Sequence, residues 1–197
     1  KPLGHQILNM SIRWLTSNEN NIELTCACGV LRITPISENT VRINFYRDQI
    51  DRLQDIPKEI TVTSNLRWNY REVRERVEVT TGKLLVQVDK KTGALSFYTA
   101  KGKLLLTENT RLPRQLGNNV KKQTWTYFDW RKTENLNARG NDDSEWSSLN
   151  NTAKYISLGA DSERSACIMS NSGYQLLVPS GKLVMCCTIP MYGPYLY

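Results

Sequence analysis

At 197 residues the chain is long enough for one large or two small domains, and 40% hydrophobic with 23% charged residues, 11 Gly and 7 Pro excludes disordered and collagen-like classes. No run of about 18 apolar residues occurs, so no membrane-spanning helix is predicted, and Lys1 to Leu15 lacks the apolar centre of a secretory signal. The 26 Lys+Arg against 19 Asp+Glu give a formal charge of +7, but acids and bases alternate through Arg71-Glu72, Arg74-Glu75-Arg76 and Glu78, which predicts a mixed solvated surface rather than a nucleic-acid footprint.

Glu23 to Cys28 and Val30 to Ile36 are short β-branched runs around Gly29, and Thr40 to Tyr46 alternates Val41, Ile43 and Phe45 with Arg42, Asn44 and Tyr46. A period of two predicts half-buried strands, and Ser37-Glu38-Asn39 supplies the turn of a hairpin. Asp48 to Lys58 is polar and reads as a loop. From Arg71 the alternation resumes, with Val73, Val77 and Val79 on one side of a predicted strand whose other face is wet. Gly82 ends it, and Leu84, Val86 and Val88 lead to the turn Asp89-Lys90-Lys91-Thr92-Gly93. Ala94 to Tyr98, a turn at Lys101-Gly102 and Lys103 to Thr107 complete a four-stranded meander.

Arg111 to Asn119, with Pro113 and Gly117, reads as a loop before the aromatic strand Gln123 to Trp130. There Trp125 and Tyr127 share one face and Phe128 and Trp130 the other, so that strand is buried on both sides or bulged, and its aromatics are assigned to core. Arg131 to Thr152 is polar and without period, which predicts a functional or disordered loop. Ala153 to Leu158, Ala166 to Ser170, Tyr174 to Val178 and Leu183 to Pro190 are four more strands. Ten or more short strands and no sustained helical period predict an all-β fold, an antiparallel β-sandwich, over a single domain 1–197.

The only histidine is His5, which excludes catalytic arrangements built on several imidazoles. The five cysteines are odd in number, Cys186-Cys187 are adjacent, and Cys26-Ala27-Cys28 has the wrong spacing for a zinc knuckle. They read as buried reduced thiols, with a cytoplasmic location expected, no metal site and no cofactor.

Three segments in order resemble the amino-terminal region of family 31 glycoside hydrolases, the retaining α-glucosidases and α-xylosidases. They are Gly29 to Asp48 (GVLRITPISENTVRINFYRD), Leu84 to Glu108 (LLVQVDKKTGALSFYTAKGKLLLTE), and Tyr155 to Tyr197 with SNSGYQLLVPS and CCTIPMYGPYLY. The resemblance implies a galactose-mutarotase-like β-sandwich ahead of a (β/α)8 barrel that carries both catalytic aspartates, so no catalytic residue is expected here. The expected partners are that downstream barrel on the same polypeptide and an α-linked saccharide, with no nucleic acid and no membrane. Asn150-Asn151-Thr152-Ala153 is the nearest match to the family's NTDA-like loop and lacks its Asp.

The candidate substrate-binding residues are Asn150, Asn151 and Thr152, from that match, and Trp146, a large apolar side chain amid Asp142, Asp143 and Ser144 that reads either as a loop anchor or as a ligand or domain contact. Tyr192, Tyr195 and Tyr197, in an aromatic carboxyl end with nothing evident to cover it, are the candidate domain-interface residues and imply a longer polypeptide. Asp142, Asp143 and Glu145 lack calcium-loop spacing and read as a solvated loop. A free-standing carbohydrate-binding sandwich is the alternative reading. A free-standing sugar epimerase is disfavoured because one histidine is too few for its paired-histidine site.

Overall fold

The computed structural model describes residues 9–54, 62–117, 124–139, 146–156, 166–178, 184–189 and 195–196. It is an all-β antiparallel sandwich architecture. The strands group into two compact units, Ile7–Pro113 and the remainder from Arg114 onward, and each is described by itself.

In the first unit, β1 (Trp14–Ser17), β2 (Ile22–Cys26), β3 (Gly29–Ser37) and β4 (Thr40–Tyr46) form a four-stranded sheet in that order. A short helix α1 (Gln49–Gln54) follows. Next come β5 (Asn69–Glu72), β6 (Arg76–Thr80), β7 (Leu84–Asp89), β8 (Leu95–Thr99) and β9 (Leu104–Thr107), a five-stranded meander. Alternation decides which residues meet: Ile22, Leu24, Leu31 and Ile33 from one sheet pack with Val77, Val79, Val86, Val88 and Leu95 from the other. Each such aliphatic side chain contributes on the order of 1.5–3 kcal/mol by leaving water.

Three expectations need correction here. The stretch from Arg71 is a hairpin rather than one strand, because Val73 N–H donates to the Arg76 carbonyl (2.9 Å) and turns the chain between β5 and β6. Asp48 to Lys58 was expected to be loop, but Asp48 caps α1 by accepting from Asp51 N–H (2.9 Å). Arg52 of that helix then pairs with Glu23 on β2 at 2.7 Å. Glu78, expected on a wet face, is only 8% exposed, because Arg71 (2.8 Å) and Arg76 (2.7 Å) cover its carboxylate.

The hydrogen bond from Arg76, with that from Arg71, holds the Glu78 carboxyl below its ordinary range despite the opposing cost of burial. A lowered folded-state value means that this stabilisation is complete above the unfolded-state range and is lost as pH falls through the folded value. The expected result is that Glu78→Gln flattens the acid limb of the stability curve below about pH 4.5, measured by urea unfolding across pH. An unchanged acid limb would show that solvent around the exposed arginines cancels the effect.

The second unit holds β10 (Arg114–Leu116), β11 (Thr124–Tyr127), β12 (Leu136–Arg139), β13 (Ser147–Ser148), β14 (Ala153–Ile156), β15 (Ala166–Ser170), β16 (Tyr174–Val178), β17 (Val184–Cys187) and β18 (Tyr195–Leu196). Its two sheets run β10-β11-β18-β17-β14 and β13-β12-β15-β16. Leu136, Ala138, Leu149, Ile156, Ile168 and Cys186 make the core, with Trp130, Leu176, Val178 and Leu196 against it. The Arg111 to Asn119 loop thus contains a strand, β10, and Arg131 to Thr152 contains β12 and β13. The aromatic strand ends at Tyr127; beyond it Phe128 is buried, and its ring lies 5.2 Å from that of Trp130, which is partly buried against the core.

Candidate functional site

The candidate loop follows β13, and its construction begins with Leu149, 1% exposed, whose N–H donates to the Leu136 carbonyl at 2.9 Å. Asn150 extends that ladder with its side chain. Its Oδ1 accepts from Leu136 N–H and its Nδ2 donates to Asn135 Oδ1, both at 2.9 Å. Asn151 then takes φ +52°, a left-handed turn that Asn tolerates better than most residues. Thr152 Oγ1 donates to the Leu149 carbonyl (2.7 Å), and Thr152 N–H donates to Thr188 Oγ1 (3.1 Å). Every polar atom named at Asn150 and Thr152 is thus engaged in holding the loop, while Asn151 projects from it exposed.

Trp146 precedes β13. The pairs Asn137↔Ser148 and Ala138↔Ser147 put it level with Arg139 at the edge of the four-stranded sheet. Leu136, Ala138, Ile168 and Leu176 face the core, so Asn137, Arg139, Cys167, Met169, Gln175 and Leu177 lie on the opposite face. On that face Asn137, Arg139, Cys167 and Met169 come from the inner strands β12 and β15, and Leu177 and Gln175 from the edge strand β16. Trp146 (40%), Met169 (38%) and Leu177 (59%) are half of the six large exposed apolar side chains among the described residues. One edge of this sheet therefore carries an exposed indole, and its outer face carries two aliphatic side chains beside an arginine.

Of the interface candidates, Tyr195 lies in β18, whose backbone pairs with both β11 and β17 in the interior of the five-stranded sheet. Tyr192 and Tyr197 lie outside the described residues, as do His5, Asp142, Asp143 and Glu145.

A feature the sequence did not single out is the carboxylate of Glu134, 7% exposed, just before β12. Its Oε1 accepts from the Ser170 hydroxyl and from Tyr174 Oη (2.6 Å), and its Oε2 accepts from Arg131 N–H (3.3 Å). Trp130 Nε1 donates to Tyr174 Oη at 3.0 Å. Burial, reinforced by the Glu134 carboxylate, raises the Tyr174 phenol far above the usual tyrosine range, so it remains a donor. The only signal in the sequence was a glutamate amid aromatic and hydroxyl residues 36 and 40 positions apart, which no local pattern links. Among the described residues, no three His, Cys, Asp or Glu side chains gather as a metal centre.

No protein-family profile matches the chain, and no curated protein matches it. Solved structures do. A Flavobacterium johnsoniae GH31 dextranase complexed with isomaltotriose superposes with a TM-score of 0.77 at 15% identity, over 97% of this chain and 25% of that one. A GH31 α-xylosidase from a soil metagenome, complexed with xylose, gives 0.71 at 15% identity, over 94% and 30%. The cycloalternan-forming enzyme of Listeria monocytogenes, in complex with a pentasaccharide substrate, gives 0.70 at 17%, over 94% and 19%. The chain therefore has the fold of one portion of family 31 glycoside hydrolases, as the sequence resemblance implied, and spans between 19% and 30% of the length of these enzymes.

Proposed function

We propose that this chain is a non-catalytic β-sandwich portion of a retaining α-glycosidase. It packs on the catalytic barrel of the same polypeptide and lends the loop from Trp146 to Thr152 to the rim of the active site, where an α-linked saccharide binds. The observation that carries this reading is the partial coverage: nearly all of this chain matches a minor part of much longer sugar-processing enzymes. Met169 and Leu177, exposed diagonal neighbours on adjacent strands of the outer face, with exposed Trp146 at the far edge of the same sheet, support it, since exposed apolar side chains gathered on one face mark an interaction surface. Trp146 would stack on a pyranose ring and Asn151 would reach a hydroxyl, with Asn150 and Thr152 fixing their backbone. In this proposal Tyr192, Tyr195 and Tyr197 lead the chain toward the barrel. Glu134 is already committed to hydroxyl donors, which supports a structural rather than acid/base role, because a retaining glycosidase needs two carboxylates about 5–5.5 Å apart across the scissile bond. Five free thiols fit a reducing, cytoplasmic setting.

The test has two arms. The purified chain is expected to give no turnover of aryl α-glucosides or α-xylosides, and activity that copurifies with it at constant specific value would overturn the reading. Replacing Met169 and Leu177 together by serine is expected to change stability by no more than about 0.5 kcal/mol, as at surface positions, while reducing self-association in sedimentation. If the double variant unfolds, the face is core and not a docking surface.

A further inference from the structure

The turn between β2 and β3 presents Cys26-Ala27-Cys28, and the fold adds a third sulfur that the spacing alone did not show. Cys26 Sγ lies 3.2 Å from Cys28 Sγ, and Cys28 Sγ lies 3.2 Å from Met10 Sδ. Met10 is 3% exposed and Cys26 7%, while Cys28 is half-buried and opens the cluster to solvent. The thioether is placed by the backbone. Ile12 N–H donates to the Lys90 carbonyl (2.7 Å) and Arg13 N–H to the Thr25 carbonyl (2.8 Å), which lays residues 10–13 along the sheet. At Gly93 a Cβ would collide with the Met10 carbonyl oxygen, so the absence of a side chain there lets the segment sit down.

We propose that Met10, Cys26 and Cys28 form a binding site for a soft monovalent cation, copper(I) or silver(I). Thiolate and thioether are the donors that soft ions select, and no imidazole or carboxylate takes part in the trio. Zinc is disfavoured, since it takes four ligands in a closed site and here would find three, one of them a neutral thioether. Uptake converts two thiols to thiolates, releases two protons per ion and leaves the centre with one net negative charge, so affinity rises with pH. With metal–sulfur bonds of about 2.3 Å, as in zinc thiolates, three trigonal donors stand about 4 Å apart. Cys28 Sγ must therefore move less than about 1 Å from each of its two sulfur neighbours, which rotation of its half-buried side chain supplies. Two of the other three thiols compete poorly: burial, with the neighbouring Cys187, pushes Cys186 up to about 12, and burial raises Cys167 as well. The inference is independent of the glycosidase reading.

The experiment is an anaerobic titration of the reduced full chain with copper(I) against a chromophoric copper(I) chelator, together with Cys28→Ser and Met10→Leu. Leucine conserves the volume of methionine, so folding is retained, and far-UV circular dichroism checks this for both variants. The expected result is one tight equivalent in the wild type that disappears in Cys28→Ser. In Met10→Leu it should weaken at least as much as loss of an outer-shell partner would weaken it, about tenfold. Repeating the titration across pH should give a slope of two in log affinity against pH below the ordinary thiol range, the signature of two protons released per ion. Unchanged affinity in Met10→Leu, or a tight equivalent retained by Cys28→Ser, overturns the site.

Discussion

Gly93→Ala should lower the unfolding free energy by at least about 3 kcal/mol, whereas Gly102→Ala should cost only about 1–2 kcal/mol. Both residues have positive φ, +72° and +87°, so an L side chain at either is strained to a similar degree. They differ in what surrounds them. At Gly102 a Cβ meets nothing within 4 Å, while at Gly93 it strikes the Met10 carbonyl oxygen and stands 3.0 Å from Met10 Cβ. Those are atoms of a backbone segment tied down by two hydrogen bonds, so the clash cannot be relieved by rotating a side chain. Relief would require breaking the contact between the 89–93 turn and residues 10–13. Urea unfolding of the two variants in parallel measures the difference. Equal losses would mean that the amino-terminal segment yields freely, and that its packing on Gly93 contributes little.

That contrast also marks what the sequence could and could not reveal. The Gly93 turn was legible, because Asp-Lys-Lys-Thr-Gly between alternating valines is strong hairpin chemistry, and Val77, Val79, Val86 and Val88 all reach the core as their period of two requires. The β5–β6 hairpin was not. Its turn, Val73-Arg74-Glu75, contains no Gly, Pro, Asn or Asp, and Val73 in the bend happens to share the parity of Val77 and Val79, although the register sets Tyr70 and Glu72 opposite those valines, so one strand and two look alike. Helix α1 spans six residues, fewer than two turns, and too few to display a period of 3.6.

The candidate loop shows the same division. Its polarity suggested solvent and ligand, yet the polar groups of Asn150 and Thr152 are spent on the chain itself. Asn and Thr are also the residues that mimic backbone in turns. Composition cannot separate the two uses, because both require a short side chain with a donor and an acceptor. The outer sheet face was hidden for another reason. Met169 and Leu177 come from different strands, and only the register Cys167↔Leu177 and Met169↔Gln175 sets them on one surface with Trp146 at its edge. The third sulfur at Met10 and the donors around Glu134 are likewise products of long-range pairing.

Glu134 carries the second large effect. Glu134→Ala is expected to cost about 3–5 kcal/mol, because it strips the acceptor from two hydroxyl donors that are largely or wholly out of water and from one backbone N–H. Glu134→Gln should cost less, about 2–3 kcal/mol. An amide has one oxygen. If that oxygen serves Ser170 and Tyr174, its NH2 faces the Arg131 N–H, and if it serves Arg131, the hydroxyls face a donor and must rotate to accept. Tyr174→Phe removes the same bond from the other side and also deprives Trp130 Nε1 of its acceptor, at about 1–3 kcal/mol. Since both changes delete one shared interaction, the double variant Glu134→Gln with Tyr174→Phe should fall short of the sum by about 1–2 kcal/mol. The raised Tyr174 phenol adds a second readout. The wild type should keep this bond through about pH 10, where an ordinary tyrosine ionises, so the coupling energy should be the same at neutral and alkaline pH. Strict additivity in the cycle, measured by urea unfolding, would mean that Glu134 and Tyr174 act separately. A coupling that vanishes near pH 10 would mean that the phenol ionises like an exposed one and that the network is open to water.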